Sequence, residues 1–226
     1  MKIHSKRFNL SEKNVDKTKV YDIKEAITIL KNSQKVKFDE TVELNIHLNI
    51  DLKKSDQVIR GTVVLPNGTG KKIRVAVFCK GEHEKQAKDA GADIVGAEDL
   101  IEKVSKGFLD FDRAISTPEM MKDLSKLGRI LGPRGLMPSP KSGTVTDKIT
   151  DAIKEVKAGK IEFKADKQAG IHVGIGKISF SESQLLENAK TLLDAIMAMR
   201  PASVKGIFLK SLSLATTMGP GVKIAL

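Results

Sequence analysis

The sequence predicts a discontinuous α+β domain with an inserted α/β domain that is Rossmann-like and has a parallel sheet. Strands and helices alternate with short connections from residue 69 to residue 159, which is typical of βαβ units. The segments on either side instead carry half-buried strands of antiparallel character. We therefore predict two domains, an outer one of residues 1–68 and 160–226 and an inserted one of residues 69–159.

The composition is that of a folded protein with enough residues for two such domains. The chain has 226 residues, of which 40% are hydrophobic and 30% charged. Its single cysteine, Cys79, excludes an internal disulfide and argues against a thiolate zinc site. No apolar run reaches the roughly 18 residues that span a bilayer, and the first residues lack the apolar stretch of a signal peptide. We expect no membrane association and a cytoplasmic location.

One helix and two strands are predicted before the insert. Asp22 and Glu25 have capping-box-like spacing, and apolar residues then repeat on one helical face as far as Leu30. Apolar and polar residues alternate over 42–48, which predicts a half-buried strand. A second β-rich run, 61–65, ends in a turn-forming segment.

The insert is predicted to contain three strands and four helices. The strands are the apolar runs 73–79, 93–95 and 113–116. Glycines end the helices, and two threonines are predicted as N-caps. In chain order the helices are one ending at Gly91, one ending at Gly107, one from Thr117 and Pro118 to Gly128, and one from Thr146 to Gly159.

The outer domain resumes after the insert. Ser181 and Gln184 form a capping box, and the long amphipathic helix that they open ends before Pro201. The strands of this part are 160–164 and 171–175, which flank a turn at 166–170, then 206–214 and 222–224.

Two short glycine-containing joints connect the predicted domains. Gly68 and Gly70 lie at one crossing and Gly159 at the other, so we predict a double-strand hinge. The net charge of +11 is unevenly divided. Split at 70/71 and 159/160, the outer pieces hold 22 basic and 14 acidic residues, against 17 and 14 in the insert. A basic outer domain is the better candidate for nucleic-acid contact.

Catalytic patterns are weak. No GxGxxG follows the 73–79 strand, and the run from Gly170 to Lys177 has the wrong spacing for a phosphate-binding loop. The four histidines are scattered, and Cys79 ends an apolar strand, as a buried structural thiol does. We predict no enzyme activity, no catalytic residue, no metal site and no cofactor. The alternative left open is an enzyme that binds a nucleotide or small anion in the insert.

Two stretches fit contact with nucleic acid. With eight Phe, one Tyr and no Trp, the chain has few aromatic residues for stacking on single strands. A Gly- and Pro-rich loop presents Arg129, Gly132 and Arg134, although an ordinary solvated loop explains the same pattern. The hydroxyls and glycines of Ser211 and 216–221 suit the ribose 2′-OH groups of A-form RNA, with a plain turn as the alternative. A general duplex-DNA binder is a further alternative.

Several stretches, in order and at matching separation, resemble the bacterial large-subunit ribosomal protein L-one family, whose members form the mobile ribosomal stalk. The resemblance covers about residues 21–224 and implies the two-domain architecture described above. The stretches that carry it are 37–43, 60–63, 127–138, 140–145 and 216–220.

The resemblance implies a structural constituent of the large subunit that binds 23S rRNA directly at the stalk junction. It further implies contact with exit-site tRNA and release of deacylated tRNA, contact with other parts of the large subunit, and repression of its own operon through mRNA. We expect a monomer when the protein is free. The implied RNA-binding residues are Lys37, Phe38, Thr41, Glu43, Ser211, Thr216, Thr217, Met218 and Gly219.

Each implied residue has a chemical role that suits RNA. Lys37 would contact phosphate, and the hydroxyls would contact ribose or phosphate. Glu43 would accept hydrogen bonds from 2′-OH or base amino groups. Met218 would make an apolar contact and Gly219 would permit close approach. For Phe38, packing beneath the RNA face and stacking on a base both stay open.

Overall fold

The computed structural model describes residues 5–34, 36–51 and 57–225. The chain forms two compact units, Met1–Gly70 with Glu162–Leu226, and Lys71–Ile161. It therefore passes twice between the units, after Gly70 and after Ile161. Antiparallel pairing in the first unit and parallel pairing in the second agree with the α+β and α/β classes that the sequence predicts.

The first unit is built on a four-stranded antiparallel sheet with the strand order β7-β1-β8-β9. Apolar residues of β1 alternate with polar ones, and only the apolar side is buried. A separate two-stranded sheet consists of β2 and β6. The strands are β1 (Thr41–Leu48), β2 (Arg60–Val64), β6 (Lys160–Lys164), β7 (Gly170–Lys177), β8 (Leu209–Thr216) and β9 (Val222–Ile224).

Two helices cover one face of the four-stranded sheet. These are α2 (Ile23–Lys31) and α8 (Glu182–Ala198), which pack on each other and on the sheet. The predicted capping box of α8 is confirmed, with Ser181 Oγ accepting from the Gln184 N–H and the Gln184 side chain accepting from the Ser181 N–H. Asp22 is the N-cap of α2 but its side chain makes no capping hydrogen bond. A further helix, α1 (Lys6–Lys13), was not predicted because its sequence is polar on most sides.

The buried Asn188 of α8 fixes the segment that leads out of β2. Its Oδ1 accepts from the Asn67 N–H at 3.1 Å. Its amide nitrogen donates to the carbonyl oxygens of Ile175 at 2.7 Å and Gly68 at 3.0 Å. A fully buried side-chain amide with these partners ties residues 67–68 to the core of the first unit.

The second unit is a three-stranded parallel sheet with helices on both faces. Its strand order is β4-β3-β5, and all four residues of β3 are buried. Val75 and Val77 face one hydrophobic cluster, and Ala76 and Phe78 face the other. The elements are β3 (Val75–Phe78), β4 (Ile94–Gly96), β5 (Arg113–Ser116), α3 (Glu82–Asp89), α4 (Glu98–Ser105), α5 (Met121–Leu124), α6 (Gly128–Leu131) and α7 (Ile149–Ala158).

The third predicted helix of the insert is wrong in detail. It begins at Met121 rather than after Thr117, and a 3₁₀ turn at Ser125–Leu127 divides it into α5 and α6. Thr117 does not cap it, because the Thr117 hydroxyl is buried and has no hydrogen-bond partner. Gly128 begins α6 instead of ending the helix.

Two other predictions also differ from the structure. Thr146 is not the N-cap of α7, because the helix begins three residues later at Ile149 and the Thr146 hydroxyl accepts from the Lys148 N–H, which lies before the helix. The predicted strands 160–164 and 171–175 flank the expected turn, but β6 pairs with β2 whereas β7 pairs with β1. Pairing partners were not visible locally, because they lie about a hundred residues apart in the chain.

Candidate nucleic-acid interface

The second face of the four-stranded sheet carries no large apolar side chain. We call this side the open face. Strand pairing places Glu43 opposite Ala215 and Gly174, and Asn45 opposite Ser213 and His172. The open face consists of Thr41, Glu43, Asn45 and His47 of β1, His172, Gly174 and Lys177 of β7, Ser211, Ser213 and Ala215 of β8, and Lys223 of β9.

Thr41 and Thr217 hold one end of the open face together. Beyond the last ladder pair, the Thr217 N–H donates to the Thr41 carbonyl oxygen at 3.1 Å, and the Thr41 N–H donates to Thr217 Oγ1 at 3.0 Å. Lys177 Nζ donates to Thr41 Oγ1 at 2.9 Å. Because the Thr41 hydroxyl oxygen accepts this hydrogen bond, the hydroxyl group can still donate its own proton to another acceptor. We call residues 37–43 together with 216–219 the 217 edge.

Glu40 is a buried carboxylate beneath the 217 edge. It is 5% exposed, and its Oε1 accepts from the Met218 N–H at 2.9 Å and from the Thr216 hydroxyl at 3.5 Å. The carboxylate therefore fixes the backbone of residues 216–218 from below. Sequence reasoning missed this residue because it lies one position before the alternating strand.

Thr216 and Gly219 both have structural contacts within the 217 edge. Thr216 is 5% exposed and its hydroxyl faces Glu40, so it supports the backbone of the edge from the buried side. A Cβ atom on Gly219 would lie 2.3 Å from Thr216 Oγ1. Glycine is needed at this position because Thr216 packs against its backbone, whatever approaches from outside.

The 217 edge also carries exposed apolar and basic groups, and Arg7 lies beside it. Met218 and Phe38 are 51% and 53% exposed, too open for residues that serve the core alone. Lys37 is exposed. Arg7 of α1 donates to the Met218 carbonyl at 2.7 Å and to that of Gln34 at 3.3 Å. Arg7 carried no sequence signal, because it lies 211 residues from Met218 in the chain.

Ser211 lies at the other end of the open face, opposite His47. Ser211 and Thr217 are six positions apart along the chain, which is about 20 Å. Of the predicted RNA-binding residues, Thr41, Glu43 and Ser211 thus lie on one polar face. Asn45, His172 and Ser213 lie between the two ends, and His47 lies beside Ser211. These four residues were not predicted, although the alternation of β1 already placed Asn45 and His47 on the side of Thr41 and Glu43.

The predicted loop and hinge residues lie elsewhere. Arg129, Gly132 and Arg134 are exposed on and after α6 in the second unit. Gly68, Gly70 and Gly159 all have positive φ, of 65°, 72° and 108°. Gly159 ends α7 in a left-handed conformation, which explains this glycine by helix termination.

Three further observations concern a thiol, metal ligands and membrane spans among the described residues. Burial raises the pKa of the Cys79 thiol to about 11, so the thiol stays protonated and is not a nucleophile at neutral pH. Within 5–34, 36–51 and 57–225, no three His, Cys, Asp or Glu side chains are grouped closely enough to hold a metal ion. Over the same residues no helix is long and apolar enough to cross a membrane.

Comparison with known proteins decides the family. Residues 30–220 match the Ribosomal protein L1p/L10e family. The chain belongs to this family. It is 55% identical over 222 residues, 98% of this chain and 96% of the relative, to the large ribosomal subunit protein uL1 of Thermosipho melanesiensis. It is 54% identical over 219 residues, 97% and 95% of the two chains, to the protein of that name from Aster yellows witches'-broom phytoplasma.

Family membership confirms the resemblance seen in the sequence. It makes this member of the L1p/L10e family a non-enzymatic ribosomal protein, and it removes the alternative of an enzyme that uses the inserted sheet. A third relative, uL1 of Solidesulfovibrio magneticus, is 51% identical over 221 residues, 98% of this chain and 94% of its own length. The match covers both units of the structure.

Proposed function

We propose that this chain is a constituent of the large ribosomal subunit that binds 23S rRNA directly through the 217 edge. The observation that carries the proposal is the paired Thr41 and Thr217, held from below by Glu40 and flanked by exposed Met218 and Phe38. The edge is rigid, since both strands and the buried carboxylate fix its backbone. As a bacterial ribosomal protein it would act in the cytoplasm.

The groups at the edge suit recognition of A-form RNA. The Thr41 hydroxyl can donate to a ribose 2′-OH group, and such groups are displayed in the wide minor groove. The Thr217 hydroxyl accepts from the Thr41 N–H and donates to the Thr41 carbonyl oxygen at 3.4 Å, so it can accept from a 2′-OH through its second lone pair. Lys37 and Arg7 supply positive charge for phosphates. Glu43 stands between Ala215 and Gly174, so its carboxylate can accept from a base amino group or a 2′-OH without steric hindrance. Met218 and Phe38 add apolar contacts with sugar or base faces.

The proposal extends to the stalk junction of 23S rRNA as the site, to exit-site tRNA and its release, and to repression of the chain's own operon mRNA. Resemblance to the family supports these finer roles, and so does the presence of a second basic loop with Arg129 and Arg134. The 217 edge would then bind both RNAs, the stalk junction of 23S rRNA and a similar structure in the mRNA.

We also propose that the two crossings of the chain form a hinge. Asn188 ties Asn67 and Gly68 to the first unit, so bending at this crossing would begin at Thr69 and Gly70. Small-angle scattering of the free protein tests this part. A scattering curve that fits a single rigid shape would contradict a hinge.

The test of RNA binding uses a transcribed 23S stalk-junction fragment and the DNA of the same sequence, titrated at several salt concentrations. We expect the RNA to bind at least about 10-fold more tightly than the DNA, because only RNA offers 2′-OH groups. The double variant Thr217→Val with Met218→Ala should weaken RNA binding by about 10- to 100-fold.

The matched control replaces the same residue types on the helices that cover the opposite face. Thr28 is exposed on α2 and Met197 is 44% exposed on α8. Thr28→Val with Met197→Ala should leave the RNA affinity unchanged. Equal, salt-sensitive binding of RNA and DNA would contradict the proposal and indicate phosphate attraction alone.

A further inference from the structure

A shallow cavity opens on the open face at the end remote from the 217 edge. Its volume is about 230 Å³, below the roughly 300 Å³ at which pockets for drug-sized ligands begin. It is suited to one planar group of base size. The residues that shape it are Asn45, His47, Asp166, His172, Ser211 and Ser213.

The imidazole of His172 is held at one nitrogen. Its Nδ1 hydrogen-bonds to Asn45 Oδ1 at 2.7 Å, and its Nε2 lies 3.7 Å from Asp166 Oδ2, beyond hydrogen-bond distance. The His172 side chain is nevertheless 60% exposed. A ring that is positioned by one hydrogen bond and is mostly exposed can offer a face for stacking on a base.

Asp166 is itself fixed by the turn before β7. Its Oδ1 accepts from the backbone N–H groups of Gln168 at 2.8 Å and Gly170 at 2.7 Å. The same two hydrogen bonds, that of Gly170 first, lower the pKa of Asp166, so the carboxylate is ionised at neutral pH. An ionised carboxylate in the cavity disfavours a phosphate and favours a group that donates hydrogen bonds, such as a base amino group.

The other polar groups of the cavity can act as both donors and acceptors. Ser211 and Ser213 point from β8 to the same side as Asn45 and His47 of β1. Hydroxyls of this kind suit the Watson–Crick edge of a base or the 2′-OH of its ribose. Ser211 also belongs to the face on which the RNA-binding residues lie, so the cavity continues the proposed interface.

We propose that this cavity holds one unpaired base of the RNA whose main contact is the 217 edge, with His172 stacked on the base. The inference rests on the proposed function and adds a second contact at His172, which lies opposite Asn45 and so four strand positions, about 13 Å, from Thr41. Asn45 is the positioning residue that orients the ring. The cavity would then select for RNA with an unstacked nucleotide at this distance from the junction.

The NMR signals of the histidine rings test whether RNA contacts the cavity. The chain has four histidines, of which His47 and His172 line the cavity and His83 lies on α3 in the second unit. Adding the 23S stalk-junction fragment should shift the ring signals of His172 and His47 and leave those of His83 unchanged. Unchanged His172 signals at saturating RNA would overturn the inference.

Affinity measurements test the stacking. His172→Ala should weaken binding of the fragment by about 5- to 20-fold, and His83→Ala, the matched control, should not change it. His172→Phe keeps an aromatic face without the ring nitrogens and should retain binding within about 3-fold. Loss of binding in both His172 variants alike would overturn stacking, with thermal unfolding confirming that each is folded.

A double-mutant cycle that combines His172→Ala with modified RNA identifies the base that the cavity binds. Unpaired nucleotides of the fragment are replaced one at a time by abasic sites. At one position the abasic RNA should bind about as weakly as His172→Ala binds the intact RNA, with no further loss when both changes are combined. Additive losses at every position would overturn the inference while the 217 edge proposal stands. Failure of the unaltered protein to prefer RNA over DNA would overturn both.

Discussion

The sheets of the two units differ in what covers them. In the second unit, β3 is buried on both sides, between one cluster containing Val77 and another containing Phe78. In the first unit, helices cover one side of β1, and the other side carries hydroxyl, amide, imidazole and carboxylate groups. A parallel sheet needs helices on both faces, whereas an antiparallel sheet can expose one face to solvent. The groups that we propose to bind RNA lie on the face that the antiparallel architecture leaves uncovered.

The largest expected effect of a substitution is on the stability of the second unit, whose sheet has helices on both faces. Phe78 is fully buried and its ring meets Phe111 edge-on, with centroids 6.4 Å apart. Phe78→Ala should lower the free energy of unfolding of the second unit by about 3–5 kcal/mol, because it removes packing and leaves a cavity. Chemical denaturation monitored by hydrogen exchange of each unit measures this.

The matched change on the open face is His47→Ala, which should alter unfolding by no more than about 0.5 kcal/mol. RNA affinity of folded Phe78→Ala should equal that of the unaltered protein. If folded Phe78→Ala also bound RNA more weakly, the core of the second unit would affect RNA binding as well as stability, and this would contradict the comparison between the two sheets.

The next effect concerns two glycines of one loop. Gly219→Ala places a Cβ atom 2.3 Å from Thr216 Oγ1, whereas Gly221→Ala meets nothing within 4 Å. Gly219→Ala should cost about 1–3 kcal/mol of stability by overpacking and displace Met218 from the 217 edge, with weaker RNA binding. Gly221→Ala should change neither quantity. Thermal unfolding and RNA titration compare the pair, and equal behaviour of the two variants would remove the packing explanation for Gly219.

A smaller effect on stability is expected from removing the charge of the buried Glu40, with the exposed Glu43 as the comparison. Glu40→Gln keeps an oxygen that can accept from Met218 N–H but removes the charge that strengthens this hydrogen bond, so we expect a loss of about 1–2 kcal/mol. Hydrogen exchange at the Met218 amide should become faster. Glu43→Gln, on the open face, should leave stability unchanged and affect only RNA binding. Faster exchange at Met218 in both variants would contradict the supporting role of Glu40.

The smallest effect is a pH dependence of the second unit. A hydrogen bond from the Lys71 ammonium, followed by that from the Arg74 backbone N–H, lowers the pKa of Asp112. A carboxyl whose pKa is lower in the folded state adds stability at pH values above its unfolded pKa, and this stability is lost as the pH falls through the folded pKa. Asp112→Asn should therefore lose no more than about 1 kcal/mol at pH 7 and show a shallower decline below about pH 4.

Urea unfolding between pH 7 and pH 2 measures this dependence. Asp110→Asn is the neighbouring control, since Asp110 pairs with the side chain of Arg74 and is more exposed than Asp112. An Asp112→Asn curve parallel to that of the unaltered protein would contradict the assignment of the acid-sensitive interaction.

Sequence patterns predicted those helices and strands that depend on residues near one another in the chain. The alternation of residues 42–48 predicted β1, and Ser181 with Gln184 predicted the beginning of α8, because strand period and capping depend on neighbours in the chain. The division of Met121–Leu131 into two short helices was missed. Its cause is packing of Leu124, Leu127 and Leu131 against the sheet, which overrides the capping preference of Thr117 and Pro118.

The candidate site was predictable only in part. The residue types at 37–43 and 216–219 predicted an RNA-binding surface through their resemblance to a family, and that family is confirmed. Glu40, Arg7 and His172 were not found. Each acts through a partner more than a hundred residues away, so no spacing in the chain reveals it.

The sequence by itself determined the strand and helix types, the basic charge of the outer segments and the family. The tertiary structure alone decided that Thr216 faces inward while Thr217 pairs with Thr41, and that His172 lies beside Asn45. The physical reason is the register of the antiparallel sheet. A shift of one residue would exchange the buried and open faces, and register depends on pairing between distant strands.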